Sequence, residues 1–236
     1  MKTIFHKLIA FVLLSFTIVA DGKDNEYNID NTLPSIDDVC IAMDDINFMK
    51  YCYENFDINK DGKVSPTEAN AVQEINIENM RVYSLKGIEY FLNLKSLDCF
   101  HNKLTSLDIS KNIMLKTLIC GANELTSLDV TNNTELTEVL CFGNKITTLN
   151  LSRNTKLTHL YCDSNRLSAI ALNNIFETLH NNNPDRNNPY LRKTIFIRNN
   201  SGTNSCNQSI ATNKGWYVDT SSDLYSYWLQ TLDLRK

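Results

Sequence analysis

The chain has 236 residues, of which 42% are apolar and 21% charged, proportions typical of a soluble globular protein rather than a disordered, collagen-like or membrane-spanning one. The formal charge of -4, without a long run of lysine or arginine, argues against nucleic acid as the main partner. Asparagine is unusually frequent, with 31 residues against only 7 glycines and 4 prolines. This surplus indicates that a repeated structure uses asparagine in its turns.

Residues 1–20 have the pattern of a secretory signal peptide. Lys2 and Lys7 give a positively charged start, the following residues are mostly apolar, and Ala20 is a small residue suited to cleavage. The apolar run is too short to span a bilayer. The alternative to a signal peptide is that these residues form the first helix of the folded protein and are buried in it. We therefore expect a secreted or periplasmic protein, free or associated with the cell surface, with residues 21–35 as a polar linker.

Residues 57–68, DINKDGKVSPTE, match the calcium-loop pattern D-x-[DN]-x-[DN]-G-x5-E at every position. Calcium prefers about six to eight hard oxygen ligands, and the carboxylates, amide, hydroxyl and main-chain carbonyl of this loop can supply them. Gly62 permits a sharp turn, and Val64 is expected to be buried. The predicted Ca²⁺ ligands are Asp57, Asn59, Asp61, the carbonyl of Lys63, Ser65 (directly or through water) and Glu68.

The flanking residues predict that residues 36–74 form a helical EF-hand cap. Residues 39–56 have the apolar spacing of a helix that enters the loop, and Ser65, Pro66 and Glu68 form a capping box that begins a second helix. The same box supports an alternative explanation of the motif, in which residues 57–68 are a polar turn before a helix and bind no metal. Because EF-hands usually work in pairs and only one loop is present, we expect calcium to order the cap rather than to act in a sensor.

Cys40 and Cys52 lie in the predicted incoming helix. If that helix is continuous, the residues between them separate the two side chains by about 18 Å along its axis. This distance is too long for a disulfide. We therefore expect both cysteines to be core thiols.

A gap-free period of 21 residues runs through the middle of the chain. Four units align over residues 94–114, 115–135, 136–156 and 157–177. They share the pattern LxxLxCxxNxL, with leucine at the first position, cysteine at the sixth and asparagine at the ninth. The recurring residues are Leu94, Leu115, Leu136 and Leu157; Cys99, Cys120, Cys141 and Cys162; and Asn102, Asn123, Asn144 and Asn165.

This pattern closely resembles that of bacterial leucine-rich-repeat proteins of the internalin type that carry a cysteine ladder. The resemblance covers about residues 75–200 and implies an α/β leucine-rich-repeat solenoid with a binding role, without indicating the ligand. In each coil, the asparagine is expected to bond backbone groups that the bend leaves unpaired. The cysteine column has three interpretations: disulfides, a metal site or buried apolar thiols. A straight column of parallel side chains suits neither bridges nor a convergent metal shell, so we expect free thiols.

Both ends of a solenoid need a cover, because an uncapped coil exposes its core. Residues 75–93 have the pattern of an irregular first coil. The strand pattern returns near Ile195 after a longer loop, residues 173–192, that contains a predicted short helix. Residues 201–236 form the predicted C-terminal cap and tail, in which Trp216 is expected to cover the last coil.

The outward positions of the strands form the predicted recognition face. Several are apolar, and an exposed apolar patch commonly marks a protein interface. The alternative is that such residues suit strands and cover neighbouring coils. The predicted residues for binding a protein or cell-surface ligand are Phe100, Ile119, Leu140, Phe142 and Tyr161.

No nucleophile elbow, paired histidine motif or glycine-rich phosphate loop occurs in the sequence, so we do not expect an enzyme. We predict a secreted or periplasmic, monomeric, calcium-binding repeat protein that mediates interaction through its outward strand face. Two alternatives remain: a calcium-stabilised structural protein of the envelope without a dedicated ligand, and an accessory subunit of an extracellular enzyme.

Overall fold

A computed structural model describes residues 37–181 and 193–221 of the chain. The predicted signal peptide, the polar linker, residues 182–192 of the long loop and the tail after residue 221 lie outside these residues. In the described part, seven short parallel strands stack in chain order as one sheet. They are β1 (Glu74–Asn76), β2 (Ser96–Asp98), β3 (Thr117–Ile119), β4 (Glu138–Leu140), β5 (His159–Tyr161), β6 (Thr194–Phe196) and β7 (Tyr217–Asp219).

Neighbouring strands pair in the register that the aligned coils predict. Ile75 of β1 pairs with Leu97 of β2, which supports an irregular first coil before the regular ones. Leu160 of β5 pairs with Ile195 of β6, although the connection between them is longer than the others. The predicted return of the strand pattern near Ile195 is therefore confirmed. Each middle residue is buried and its flanking residues are mostly half-buried, as alternation along a strand requires.

The segment before the sheet differs from its prediction. A 3-10 turn spans Val39–Ala42 and a separate helix, α1, spans Ile46–Phe56. The Asp45 side chain accepts the backbone N–H groups of Asn47 and Phe48, so it caps a new helix start. The prediction of one continuous incoming helix is therefore wrong, because this cap breaks it after the 3-10 turn.

The remaining helices are short and lie at the two ends of the solenoid. Helix α2 (Pro66–Ala71) begins at the predicted capping box, and a 3-10 turn spans Ile88–Tyr90. Helix α3 (Ala169–Thr178) starts earlier than the predicted helix because Ser168 caps it, and α4 (Ser209–Asn213) precedes β7. None of the helices in the described residues has both the length and the apolar character that crossing a bilayer requires.

One apolar core runs from Val39 in the segment before β1, residues 37–73, here called the N-terminal cap, to Val218 in the last strand. The cysteine column lies within it, and none of the seven cysteines is bridged; all seven belong to the described residues. Burial raises the pKa of the four ladder thiols, so they are kept neutral as small apolar residues. The buried ladder residues are Cys99, Cys120, Cys141 and Cys162.

Asparagine at the ninth repeat position bonds the backbone of neighbouring coils, as predicted. The Asn123 amide donates to the carbonyls of Cys99, Cys120 and Gly121, and its oxygen accepts the N–H of Leu104. A second buried series donates to backbone carbonyls on the other side of the coils. This series consists of Asn112, Asn133 and Asn154.

Trp216 covers the C-terminal end of the core, as the sequence predicts. Only 2% of the residue is exposed, and its indole N–H donates to the carbonyl of His180 at 2.9 Å. The buried ammonium of Lys193 lies 5.2 Å from the centre of the indole ring and donates to the carbonyls of His180 and Lys214. The last coil is thus sealed by an aromatic ring whose polar atom is satisfied.

Candidate functional sites on the sheet face and in the loop 57–68

Fourteen strand residues point outward from the sheet, two from each strand. They form two columns that run across all seven strands in parallel register. One column is Glu74, Ser96, Thr117, Glu138, His159, Thr194 and Tyr217. The other is Asn76, Asp98, Ile119, Leu140, Tyr161, Phe196 and Asp219.

The predicted apolar patch is largely closed to solvent. Phe100 and Phe142 have no exposed surface and Leu140 is 4% exposed. These three form a second apolar cluster on the outward face, here called the outer cluster, against which Ile119 and Tyr161 pack half-buried. The prediction that all five side chains are exposed is therefore wrong for three of them, because they bury one another.

Gly121 explains why this burial is so complete. The rings of Phe100 and Phe142 belong to coils that are not adjacent, yet their centres lie 5.5 Å apart. The coil between them carries Gly121 at the equivalent position, and a Cβ atom there would lie 3.0 Å from the Phe142 ring. The missing side chain lets the two rings meet over the backbone.

A stack of rings follows the outer cluster toward the C-terminal end of the sheet. The rings of Tyr161 and Phe196 are 4.4 Å apart and nearly parallel, and His159 lies beside Tyr161 at 6.4 Å. All three ring residues are half-buried. Phe196 was missed at the sequence level, although the match of Ile195 to Leu160 places it opposite Tyr161.

The outward columns carry an acidic charge. Among the fourteen positions there are four carboxylates and no lysine or arginine. Burial raises the pKa of Tyr161, and the carboxylates of Glu138 and Asp163 raise it further. The face therefore combines half-buried apolar side chains with a negative potential. The four carboxylates are Glu74, Asp98, Glu138 and Asp219.

The predicted calcium loop is folded as a closed turn whose ends meet. The Glu68 carboxylate, from the twelfth loop position, accepts the N–H groups of Ile58 and Asn59 at the second and third positions. It also accepts the N–H and hydroxyl of Ser65, which completes the capping box. These hydrogen bonds, led by that from the Ser65 backbone, lower the pKa of Glu68. Gly62 has φ +84°, in the left-handed region that the turn requires.

Within the loop, the other acidic side chains accept backbone N–H groups. Asp57 accepts the N–H groups of Asp61 and Gly62, and Asp61 accepts that of Lys63. Across residues 37–181 and 193–221, no three histidine, cysteine or acidic side chains converge as a ready-made metal site. The same hydrogen bonds also fit the alternative of a polar turn before a helix.

Val64 attaches the loop to the rest of the cap, as the buried anchor position predicts. It has no exposed surface, its carbonyl accepts the N–H of Val39 at 2.9 Å, and its N–H donates to the Asp38 carboxylate at 3.1 Å. The other oxygen of that carboxylate accepts the Tyr53 hydroxyl. The contacts of Asp38 were not predicted, since no local pattern connects it to the loop.

No protein-family model matches the chain, and no curated protein is similar to it. Solved structures with a similar fold do exist. An internalin, inlF, from Listeria monocytogenes is 18% identical, covers 72% of this chain and 54% of its own, and has a TM-score of 0.53. A leucine-rich-repeat protein from Leptospira interrogans is 17% identical over 64% of this chain and 38% of its own, also with a TM-score of 0.53.

The fold is of the leucine-rich-repeat type. The functional domain of InlJ from Listeria monocytogenes, which includes a cysteine ladder, is 21% identical over 74% of this chain and 54% of its own, but its TM-score of 0.37 is too low to support an argument. At these identities the likeness concerns the fold alone. This leucine-rich-repeat chain spans about half or less of the length of these three structures.

Proposed function

We propose that this chain is an exported interaction protein that binds the basic surface of another protein on the outward face of its sheet. The observation that carries the proposal is the composition of the two outward columns, with four carboxylates and no lysine or arginine beside half-exposed apolar residues. A parallel sheet in one register presents such columns as a continuous surface. The leucine-rich-repeat fold supports this function, since such solenoids offer extended binding surfaces.

The outer cluster supports the proposal as a platform rather than as the contact surface. Phe100 and Phe142 are buried, so they hold the face rigid without touching a ligand. A preorganised surface loses less conformational freedom on binding. The residues that would contact the partner protein are the half-exposed Ile119, Tyr161 and Phe196 and the nearby Glu138.

Positive charge introduced at half-exposed positions of the face tests this proposal. Glu138→Arg leaves the outer cluster intact, so its unfolding temperature should stay close to that of the wild type. Ile119→Arg removes a half-buried packing contact with that cluster and should lower the unfolding temperature without unfolding the protein. We expect both variants to lose partners captured from surface and host extracts, and capture by the wild type to weaken as salt increases. Ile170→Arg, at a residue that is 73% exposed on α3, is the matched control and should capture as the wild type does. Unchanged capture by both face variants would refute the proposal.

We further propose that the loop 57–68 binds calcium and that the ion stabilises the N-terminal cap. The supporting observation is the contact of Glu68 with Ile58 and Asn59, which brings the last predicted ligand to the beginning of the loop. The Asp57, Asn59, Asp61, Ser65 and Glu68 side chains and the Lys63 carbonyl are oxygen donors of the kind that Ca²⁺ prefers. When bound, the ion would neutralise carboxylates that otherwise repel one another.

Glu68→Gln separates calcium binding from helix capping. Glutamine keeps one acceptor oxygen for the capping box, but its NH2 group cannot accept the N–H groups that the second carboxylate oxygen accepts, so the unfolding temperature in chelator should be somewhat below that of the wild type. Millimolar calcium should raise the unfolding temperature of the wild type, because a ligand that binds only the folded state stabilises it, and should leave the variant unchanged. Glu54→Gln, an exposed position on α1, serves as the control and should keep the calcium response. Identical wild-type melting curves in calcium and chelator would refute calcium binding.

Export to the periplasm or the outside of the cell is the third part of the proposal. It is supported by the charged and apolar pattern of residues 1–20, which lie outside the described residues. Fractionation of cells that produce the full chain tests it: the mature protein should begin after Ala20 and appear outside the cytoplasm. Recovery of the uncleaved chain in the cytoplasm would contradict export. The expectation that the protein is not an enzyme stays a prediction.

A further inference from the structure

Cys40 and Cys52 meet inside the N-terminal cap. The helix break before α1 folds the 3-10 turn back against α1, and neither cysteine has any exposed surface. One carboxylate joins the two segments: Asp38 accepts the N–H of Cys40 at 3.0 Å and the hydroxyl of Tyr53, the residue after Cys52, at 2.6 Å. Both cysteines lie in the same buried apolar cluster and are unbridged. The expected separation of about 18 Å assumed a continuous helix, and that premise is wrong.

We infer that Cys40 and Cys52 form a disulfide when the chain folds in an oxidising compartment. For its setting in the cell this inference rests on the proposed export, because disulfides persist outside the reducing cytosol. The chemistry of the pair itself depends only on how the cap folds.

The other five cysteines lack such a partner. Each ladder cysteine directly follows a parallel strand and continues its backbone pairing, so the side chains point the same way rather than toward each other. Cys206 is half-buried and its thiol contacts the carbonyl of Thr203. Cys40 and Cys52 differ because they come from two different elements, the 3-10 turn and α1, which the Asp38 carboxylate joins. The structure thus singles out one pair among seven cysteines.

The reaction is a thiol–disulfide exchange with a small-molecule or protein disulfide as the oxidant. The thiolate of one cysteine attacks the donor disulfide, forms a mixed disulfide and releases one donor thiolate. The second cysteine attacks the protein sulfur of that mixed disulfide and releases the second donor thiolate. The two protons lost by Cys40 and Cys52 end on the two donor thiols, so the protein is oxidised and the donor reduced.

The burial of the two thiols determines when during folding the disulfide can form. Desolvation and the contact with Cys40 raise the pKa of the Cys52 thiol, and a buried neutral thiol is a poor nucleophile. The bond therefore forms while the cap is still open, not after the core has closed. Once formed, it fastens the segment that contains Val39, the partner of Val64, to α1.

The test is oxidative refolding of the full chain. Unfolded, reduced protein is refolded in a mixture of reduced and oxidised glutathione, and the remaining thiols are counted in denaturant by alkylation and mass spectrometry. We expect five of the seven thiols to remain and one peptide link, between Cys40 and Cys52. We also expect the oxidised protein to unfold roughly 5 to 10 °C above the reduced form. Seven remaining thiols, or a link to any other cysteine, would overturn the inference.

Two matched variants test whether the loss of two thiols is specific to Cys40 and Cys52. Cys52→Ala should keep all six of its thiols and show no difference in unfolding temperature between oxidising and reducing buffers. Cys206→Ala should still lose two thiols, because its cysteine is outside the pair. If Cys52→Ala fails to fold, the peptide map of the wild type still decides the question. Because refolding takes place in the test tube, a failure of export leaves this result unaffected.

Discussion

At the scale of single residues, the asparagine ladder joins neighbouring coils through their backbones. The Asn144 amide donates to the carbonyls of Cys120, Cys141 and Phe142, and its oxygen accepts the N–H of Leu125. These backbone groups face inward at the bend, where strand pairing does not reach them. A side chain that both donates and accepts is needed there, which is why asparagine recurs.

Asn144→Ala should lower the free energy of unfolding by about 1 to 3 kcal/mol, because the three carbonyls and the Leu125 N–H that Asn144 bonds lose their partner. Urea unfolding followed by circular dichroism measures the change. Asn132→Ala is the matched control: Asn132 is exposed and its amide makes one long contact, 3.4 Å, with the Ser110 carbonyl. An unchanged midpoint for Asn144→Ala would contradict the ladder.

Phe142→Ala should also destabilise the protein, by about 3 to 5 kcal/mol, since the side chain is fully buried and leaves a cavity over Gly121. The same urea experiment measures it. Ile113→Ala, at a residue 54% exposed, should cost far less. Wild-type stability of Phe142→Ala would mean that the outer cluster does not hold the face together, and Phe142 would again be a candidate contact residue.

At the scale of secondary-structure elements, the end of α3 and the last coil meet at His180. Its Nε2 atom contacts the Leu157 carbonyl at 2.8 Å, which requires a proton on that nitrogen. Its Nδ1 atom is buried and has no hydrogen-bond partner among the described residues. Burial lowers the pKa of His180, the hydrogen bond with the Leu157 carbonyl partly opposes this shift, and the charge of Lys193 adds to the lowering. The fold therefore favours the neutral form of this histidine.

Stability should therefore fall as the pH drops from about 7 to about 5. The unfolded chain protonates His180 near its usual pKa of about 6.5, whereas the folded chain does so only at lower pH, so protons favour unfolding in this window. The carboxylates with lowered pKa values, such as Glu68 and Asp108, lose their contribution only at more acidic pH. Thermal unfolding across the window measures the loss.

His180→Gln is the control for this effect. Glutamine can still donate to the Leu157 carbonyl but does not titrate, so its unfolding temperature should depend less on pH between about 7 and 5. Equal slopes for the wild type and the variant would show that another group causes the dependence.

At the scale of the whole molecule, one core joins the N-terminal cap, the coils and the C-terminal cap. Each coil alone is too short to bury its own apolar side chains, so stability comes from stacking. The four ladder cysteines lie in four successive coils and act as internal reporters of this core.

We expect none of the ladder thiols to react in the folded, reduced protein, because burial keeps them neutral and inaccessible. In increasing urea, all four should become reactive at the same midpoint if the core unfolds as one unit. Pulsed alkylation with peptide mass spectrometry measures each site. Earlier exposure of Cys162 than of Cys99 would instead indicate that the solenoid frays from its C-terminal end.

The sequence by itself determined what repeats along the chain. The spacing of leucine, cysteine and asparagine predicts the strand register, the buried thiol column and the hydrogen bonds of Asn102 and its equivalents, and all three are observed. It also predicts the irregular first coil at Ile75 and the cover by Trp216. These features depend on local spacing, and each coil finds the same neighbour above and below.

Only the tertiary structure decided which outward residues are buried and which cysteines meet. Phe100 and Phe142 lose their exposure because Gly121, in the coil between them, leaves room for two rings from non-adjacent coils. Cys40 and Cys52 come together because the Asp45 cap interrupts the helix that the apolar spacing predicts, and Asp38 then joins the 3-10 turn to α1. The burial of the rings and the approach of the two cysteines both depend on contacts between residues that are not neighbours in the chain. A periodic sequence pattern does not encode such contacts.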